Sequence, residues 1–199
     1  MMSEPRIGRV LAASLHQAIN ELMPTRVEFY ETWLSAGRIR KGELGRALIA
    51  AVISFLRQEG AGYDAVMGRA GRCAADWTVD AMPVVKRAVV RRLPRPIRAR
   101  VVLRMGARII RTMHDDARLW ARVRRGTAVV TVEGSLFCDV REATDIPLCR
   151  FYAAVLEGCL ESFDMSAHAE LCRCRAAGGG RCELIIQFGR RESLPSAGG

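Results

Sequence analysis

Half of the 199 residues are hydrophobic, enough for one packed core or a core with a helical extension, which excludes wholesale disorder. The net charge of +10 is nearly all arginine, Lys41 and Lys86 being the only lysines. An arginine bias of this kind accompanies a GC-rich genome and is discounted as a sign of function. The longest apolar run, Ala47 to Leu56, is too short to cross a bilayer. The N-terminus has no apolar stretch leading into a small-residue cleavage site. The seven cysteines, an odd number, argue against a disulfide framework. The expected location is cytoplasmic and reducing, or at the periphery of the inner membrane.

Five helical segments come first. Ile7 to Met23 spaces Val10, Leu11, Leu15, Ile19 and Leu22 as one helical face. Pro24 stops it and opens a second helix carrying Val27, Phe29, Tyr30, Trp33 and Leu34. Glu43 to Gln58 follows, ended by Gly60. A fourth helix, Tyr63 to Asp80, carries Ala65, Gly68, Ala70, Gly71, Ala74 and Ala75, small residues that let another helix approach closely. Pro83, Pro94 and Pro96 then punctuate a short helix and a long one from Ile97 to Arg124.

The character changes at Gly126. Thr127 to Glu133 reads TAVVTVE, a β-branched strand, with Gly134-Ser135 as a turn and Leu136 to Arg141 as its hairpin partner. Leu148 to Phe163 returns to helical spacing. Ser166 to Arg173 and Arg181 to Phe188 read as two more strands, and the residues after 188 as a frayed tail. The expected fold is α+β. A helical first two thirds, residues 1–125, packs on a four-stranded antiparallel sheet from a ββαββ unit, residues 126–188, with 189–199 as a tail.

Cysteines carry most of the chemical information. Cys172, Cys174 and Cys182 fall within eleven residues, on two strands joined by Gly178-Gly179-Gly180, and Cys149 opens the intervening helix. On a strand, Cys172 and Cys174 share a face. At a helix start, Cys149 is favoured as a thiolate. Cys149, Cys172, Cys174 and Cys182 could form a tetrahedral zinc set, with bonds of about 2.3 Å. The spacing fits no common zinc-finger pattern, so buried thiols or a redox pair stand as alternative readings. Glu170 and His168 are weaker ligand candidates. Cys73 reads as helix packing, and Cys159 and Cys138 as core.

Catalytic patterns are absent: His16, His114 and His168 are scattered, and Asp115-Asp116 beside His114 reads as helix surface rather than an acid-base cluster. Between Lys86 and Arg125 there are fourteen Lys or Arg residues against two acids. Arg91, Arg95, Arg98, Arg104, Arg108 and Arg111 alternate with Val101, Val102 and Ile109 in an amphipathic pattern. That pattern suits an anionic membrane surface better than nucleic acid, for which no motif is present.

From Gly134 to Phe188 the chain resembles a 4-vinyl-reductase domain. The features are Ser135-Leu136-Phe137, Pro147-Leu148-Cys149-Arg150-Phe151-Tyr152, Leu156-Glu157-Gly158-Cys159-Leu160, Cys174-Arg175-Ala176-Ala177-Gly178 and Arg181-Cys182-Glu183-Leu184. The resemblance implies a fold similar to vesicle-tethering TRAPP subunits, a homodimer through the N-terminal helices, and small-molecule binding. Its members include a protein of bacteriochlorophyll synthesis and aromatic-effector sensor domains of bacterial activators. In those sensors an upstream cysteine, a glutamate and two cysteines hold zinc. Cys149, Cys174 and Cys182 occupy the cysteine places, while Leu171 stands at the glutamate place, with Cys172 or Glu170 as its substitute. Such a zinc would be structural, beside a pocket lined by Phe137, Phe151, Tyr152, Val155, Trp120 and Trp77. The resulting expectation is a sensor, carrier or accessory protein for an apolar, aromatic, tetrapyrrole or lipid-like ligand. A pigment-pathway reductase, or an interaction module docking through the basic helices, are the alternatives.

Overall fold

A computed structural model describes residues 8–42, 44–114, 116–124, 126–139 and 144–189. Ile7, Glu43, Asp115, Arg125, Arg141 and the tail beyond Gly189, on which parts of the sequence reading fall, lie outside them. Among the described residues, eight α-helices and four strands follow in the order α1 (Arg9–Leu22), α2 (Val27–Leu34), α3 (Ala36–Lys41), α4 (Arg46–Gln58), α5 (Ala61–Asp80), α6 (Val84–Arg92), α7 (Arg95–Met113), β1 (Arg118–Arg124), β2 (Thr127–Glu133), α8 (Arg150–Glu161), β3 (Ala167–Arg173) and β4 (Cys182–Phe188). The class is α+β, as expected.

The strands form one antiparallel sheet in the order β1-β2-β4-β3. The period-2 pattern of TAVVTVE decides which face is covered: Ala128, Val130 and Val132 are buried, and so are Cys182, Leu184 and Ile186 on β4. Burying each Val, Leu or Ile stabilises the fold by about 1.5–3 kcal/mol before entropy is counted. Helix α7 packs on β1, and α8 packs on β3, α7 and α5. Helix α1 covers α5 with Leu11, Leu15 and Ile19, while Val10 and Leu22, expected on the same face, are exposed at its two ends.

Small residues explain the central helix pair. Gly71 of α5 lies so close to α8 that a Cβ there would sit 2.5 Å from the Phe151 carbonyl oxygen. Gly158 answers from α8, where a Cβ would sit 2.9 Å from that of Ala75. Ten consecutive residues of α8, Phe151 to Leu160, are buried, so this helix is the spine of the core.

Two elements differ from the sequence reading. The hairpin partner of β2 is β1, in register Arg118↔Glu133 to Arg124↔Thr127, where a continuation of the preceding helix was expected. Arg118-Leu119-Trp120-Ala121-Arg122-Val123 alternates as well as it repeats helically, and cross-strand pairing with β2 selects the strand. Leu136–Cys138, expected as the hairpin strand, is instead one buried 3-10 turn. The ββαββ order therefore holds, with its first strand upstream of residue 126.

Candidate metal centre

Four elements deliver four thiols to one point. Cys138 closes the 3-10 turn after β2, and Cys149 is the residue from which α8 starts. Cys174 leaves β3 and opens a 3-10 turn, Arg175–Ala177, and Cys182 is the first residue of β4. Gly178 adopts φ 78°, which brings the chain back so that the Gly179 amide donates to the Cys174 carbonyl at 2.9 Å. The pairing Val132↔Cys182 sets the end of β2 beside the start of β4, and the turn after β2 then carries Cys138 inward.

The Sγ atom of Cys138 lies 3.1 Å from that of Cys149, 3.3 Å from that of Cys174 and 3.4 Å from that of Cys182. All four sulfurs fall within 4.8 Å of one another, and all four residues are buried. A tetrahedral thiolate site with bonds of about 2.3 Å places sulfurs about 3.8 Å apart, so the cage has the size for zinc after a small expansion. Backbone amides support anionic sulfur: Leu148 donates to Cys174 Sγ and Arg175 to Cys182 Sγ, each at 3.3 Å. The Ser135 hydroxyl lies 3.6 Å from Cys149 Sγ. The donor set therefore fits a soft, four-coordinate metal ion.

The thiols titrate as a set. Hydrogen bonds from Cys138, Cys149 and Cys182, joined by the Leu148 amide, hold Cys174 far below the ordinary thiol range. Cys138 is lowered to about 7, first by its contact with Cys149. Cys149 is pushed well up, first by Cys138 and then by Cys174 and Cys182, and Cys182 is raised as well, first by Cys138. One sulfur thus keeps negative charge by making its neighbours hold their protons, a conflict that a dipositive ion at the centre removes.

Three of the four expected ligands meet here, and Cys172 does not. The register of β3 against β4 slips between Leu171 and Arg173, a bulge that makes Cys172 the extra residue and breaks the expected two-residue alternation. Cys172 is exposed, its thiol directed to the Glu170 carbonyl at 3.8 Å, and Glu170 is exposed too. The fourth thiol is Cys138, which the sequence reading had left in the core. Its only local sign was a cysteine three residues past a Gly-Ser turn.

The aromatic residues divide in the same way. Phe137 and Phe151 stack at 5.1 Å, and Tyr152 closes the group edge-on at 5.1 Å from Phe137 and 6.0 Å from Phe151. Val155 is buried one turn along α8. Each is tied to a sulfur by sequence, since Phe137 precedes Cys138 and Phe151-Tyr152 follow Cys149. Trp77 on α5 and Trp120 on β1 are exposed, apart from this group; strand alternation puts Trp120 on the open face of the sheet, opposite Leu119 and Val123. His114 is buried with its Nδ1 accepting the Asp116 amide at 3.1 Å. Asp116 is held by Arg46 at 2.8 Å, which also binds Asp139 at 2.6 Å. His168 is exposed but lies 3.3 Å from buried Glu157.

Residues 128–188 match the model of the 4-vinyl-reductase domain family. They contain β2, the four thiols and the aromatic group. The C-terminal third of this chain carries a 4-vinyl-reductase domain. No curated protein matches the chain significantly. Among solved structures, the chain is similar in fold to the phenol-responsive sensory domain of the transcription activator PoxR with phenol, at 15% identity over 73% of this chain and 75% of that one, with a TM-score of 0.52. It is similar to a trafficking protein particle complex subunit 3 from Naegleria fowleri covalently bound to palmitic acid, at 11% identity over 73% and 95%, with a TM-score of 0.54. A third neighbour is an H-NOX protein from S. oneidensis in an Fe(II)NO state, at 12% identity over 92% and 100%, with a TM-score of 0.57. The family match and the trafficking-subunit neighbour agree with the resemblance read from the sequence, and at these identities the neighbours establish the fold.

Proposed function

We propose that this protein is a small-molecule-sensing domain whose ligand pocket lies at Phe137, Phe151, Tyr152 and Val155, braced by a structural zinc on Cys138, Cys149, Cys174 and Cys182. The observation that carries the reading is the convergence of four buried sulfurs within 4.8 Å, directly joined in sequence to the aromatic group. Bound zinc would supply a rigid cross-link and, being closed by four protein donors, no open position for chemistry. The residues do the rest. Cys149 fixes the first turn of α8, Cys174 and Cys182 fix the hairpin, and Cys138 fixes the turn that carries Phe137.

A ligand entering between that turn and α8 has to displace ring against ring. The displacement is transmitted along α8, whose buried faces meet α5, α7 and the sheet. A phenolic ligand for the PoxR domain and an acyl chain for the trafficking subunit make apolar and aromatic compounds the first candidates. The test is calorimetric titration of zinc-loaded protein with substituted phenols, medium-chain fatty acids and a porphyrin. Saturable one-to-one binding lost in Phe151→Ala, with zinc retained, supports the reading. Binding to none of them, or binding indifferent to Phe151, defeats it.

A second reading, contact with an anionic membrane surface, is favoured by α6. This helix buries only Val90, while Val84, Val85 and Val89 are 70%, 75% and 55% exposed beside Lys86 and Arg92. No helix is long and apolar enough to cross a membrane among the described residues, so contact would be peripheral. Arg98, one of the expected contacts, is spent internally on the carbonyls of Leu93 and Phe163. Co-sedimentation with phosphatidylglycerol vesicles, lost on Val85→Asp and at high salt, is the corresponding test.

A further inference from the structure

We infer that a second binding site, for an amphiphilic monoanion such as a medium-chain or aromatic carboxylate, lies at the far end of the sheet from the cysteines. Strand β4 begins at Cys182 and ends at Phe188, so the two places stand about 20 Å apart along one seven-residue strand. A cavity of about 340 Å³ opens there between the start of α7, the β1–β2 hairpin and the segment entering β3. That volume falls within the range of small-molecule sites, about 300–1,000 Å³.

The walls are apolar and tied in place. Ala99 and Met165 are each 2% exposed and form the floor, with half-buried Val123 and Phe188 at the sides. The Phe188 amide donates to the Gly126 carbonyl at 2.9 Å, closing the hairpin against β4. The Met165 amide donates to the Leu160 carbonyl at 3.0 Å, and Arg98 joins α7 to the Phe163 carbonyl at 3.2 Å. A cavity held by such bonds is formed before any ligand arrives, which lowers the ordering cost of binding.

The rim is cationic. Arg95, Arg100 and Arg124 all line the cavity and are exposed. Among the described residues none of the three has a carboxylate partner, and the nearby Asp164 is engaged by Arg91 at 3.5 Å. Three like charges around one apolar mouth repel one another, and an anionic group seated between them removes that repulsion while gaining charge-assisted hydrogen bonds. The apolar floor then takes the body of the same molecule. A neutral apolar compound leaves the guanidinium groups unmatched, and a bare inorganic anion leaves the floor empty.

The test is a titration of uniformly ¹⁵N-labelled protein with decanoate and with decanol, both below aggregation. Decanoate is expected to give saturating one-to-one shifts at the amides of Gly126, Met165 and Phe188, at least tenfold tighter than decanol. Arg124→Glu, an exposed change at a strand end, should weaken decanoate at least tenfold, and Arg124→Lys should recover most of that loss. Decanol binding within threefold of decanoate, indifference to Arg124→Glu, shifts centred elsewhere, or no saturating shift would each overturn the site. Since the readout involves neither zinc nor the Phe151 group, its failure leaves the sensing proposal standing, and the reverse also holds.

Discussion

Cys138 and Cys149 hold their sulfurs 3.1 Å apart although one closes a turn after a strand and the other starts a helix. Both are at most 4% exposed, whereas Cys172 is exposed on β3. Cys138→Ser is therefore expected to lower the metal content of protein purified without added metal from about one zinc per chain toward none, with a marked fall in Tm. Cys172→Ser should leave both unchanged while removing the thiol that reacts rapidly with an aromatic disulfide reagent in the folded protein. Elemental analysis and thiol counting read both arms, and zinc retained in Cys138→Ser would rule the four-sulfur site out.

Gly71 and Gly37 provide a paired test of helix packing. A Cβ at Gly71 meets the Phe151 carbonyl at 2.5 Å and the Ala154 Cβ at 2.7 Å, and neither is a flexible side-chain end. Gly71→Ala should destabilise the fold by about 1–3 kcal/mol, as overpacking does. Gly37→Ala, in α3 with nothing within 4 Å, should be neutral or stabilise by up to about 1 kcal/mol. Urea unfolding midpoints at constant slope give the comparison.

Glu157 pins α8 to the sheet. Its Oε1 accepts the Ala169 amide at 2.8 Å, and its Oε2 lies 3.5 Å from Arg150. Glu157→Leu strands that buried amide and should cost about 1–3 kcal/mol. Glu157→Gln keeps an acceptor and should cost less. Equal losses in the two variants would mean that the hydrogen bond contributes nothing and shape alone matters.

Cys159 supplies a pH test with a definite sign. Burial, with a smaller contribution from Asp76, pushes its thiol from 9.0 up to about 12. A raised value means that the folded state prefers the protonated form. The associated stability is whole below pH 9 and is lost as pH rises from 9 toward about 12. Subtracting Cys159→Ala from the wild type cancels the other groups that titrate there. The gap in unfolding free energy should shrink above pH 9 by about 1.4 kcal/mol per pH unit. A gap independent of pH would show that this thiol titrates as it does in the unfolded chain.

The local parts of this protein were legible in its sequence. Helical spacing located α1, α4, α5 and α8, TAVVTVE located β2, and Gly178-Gly179-Gly180 marked the turn that brings Cys174 back to Cys182. These depend on neighbours a few residues apart, where side-chain period and backbone preference act directly. What tertiary structure decided lies wherever a choice depends on a distant partner. Arg118–Arg124 satisfies both a helix and a strand pattern, and only pairing with β2 separates them. Leu136–Cys138 becomes a turn because β4, not a second hairpin strand, takes the open edge of β2. A single bulge in β3 turns Cys172 to solvent and leaves its expected place to Cys138, because a one-residue slip in a period-2 structure moves a side chain to the opposite face.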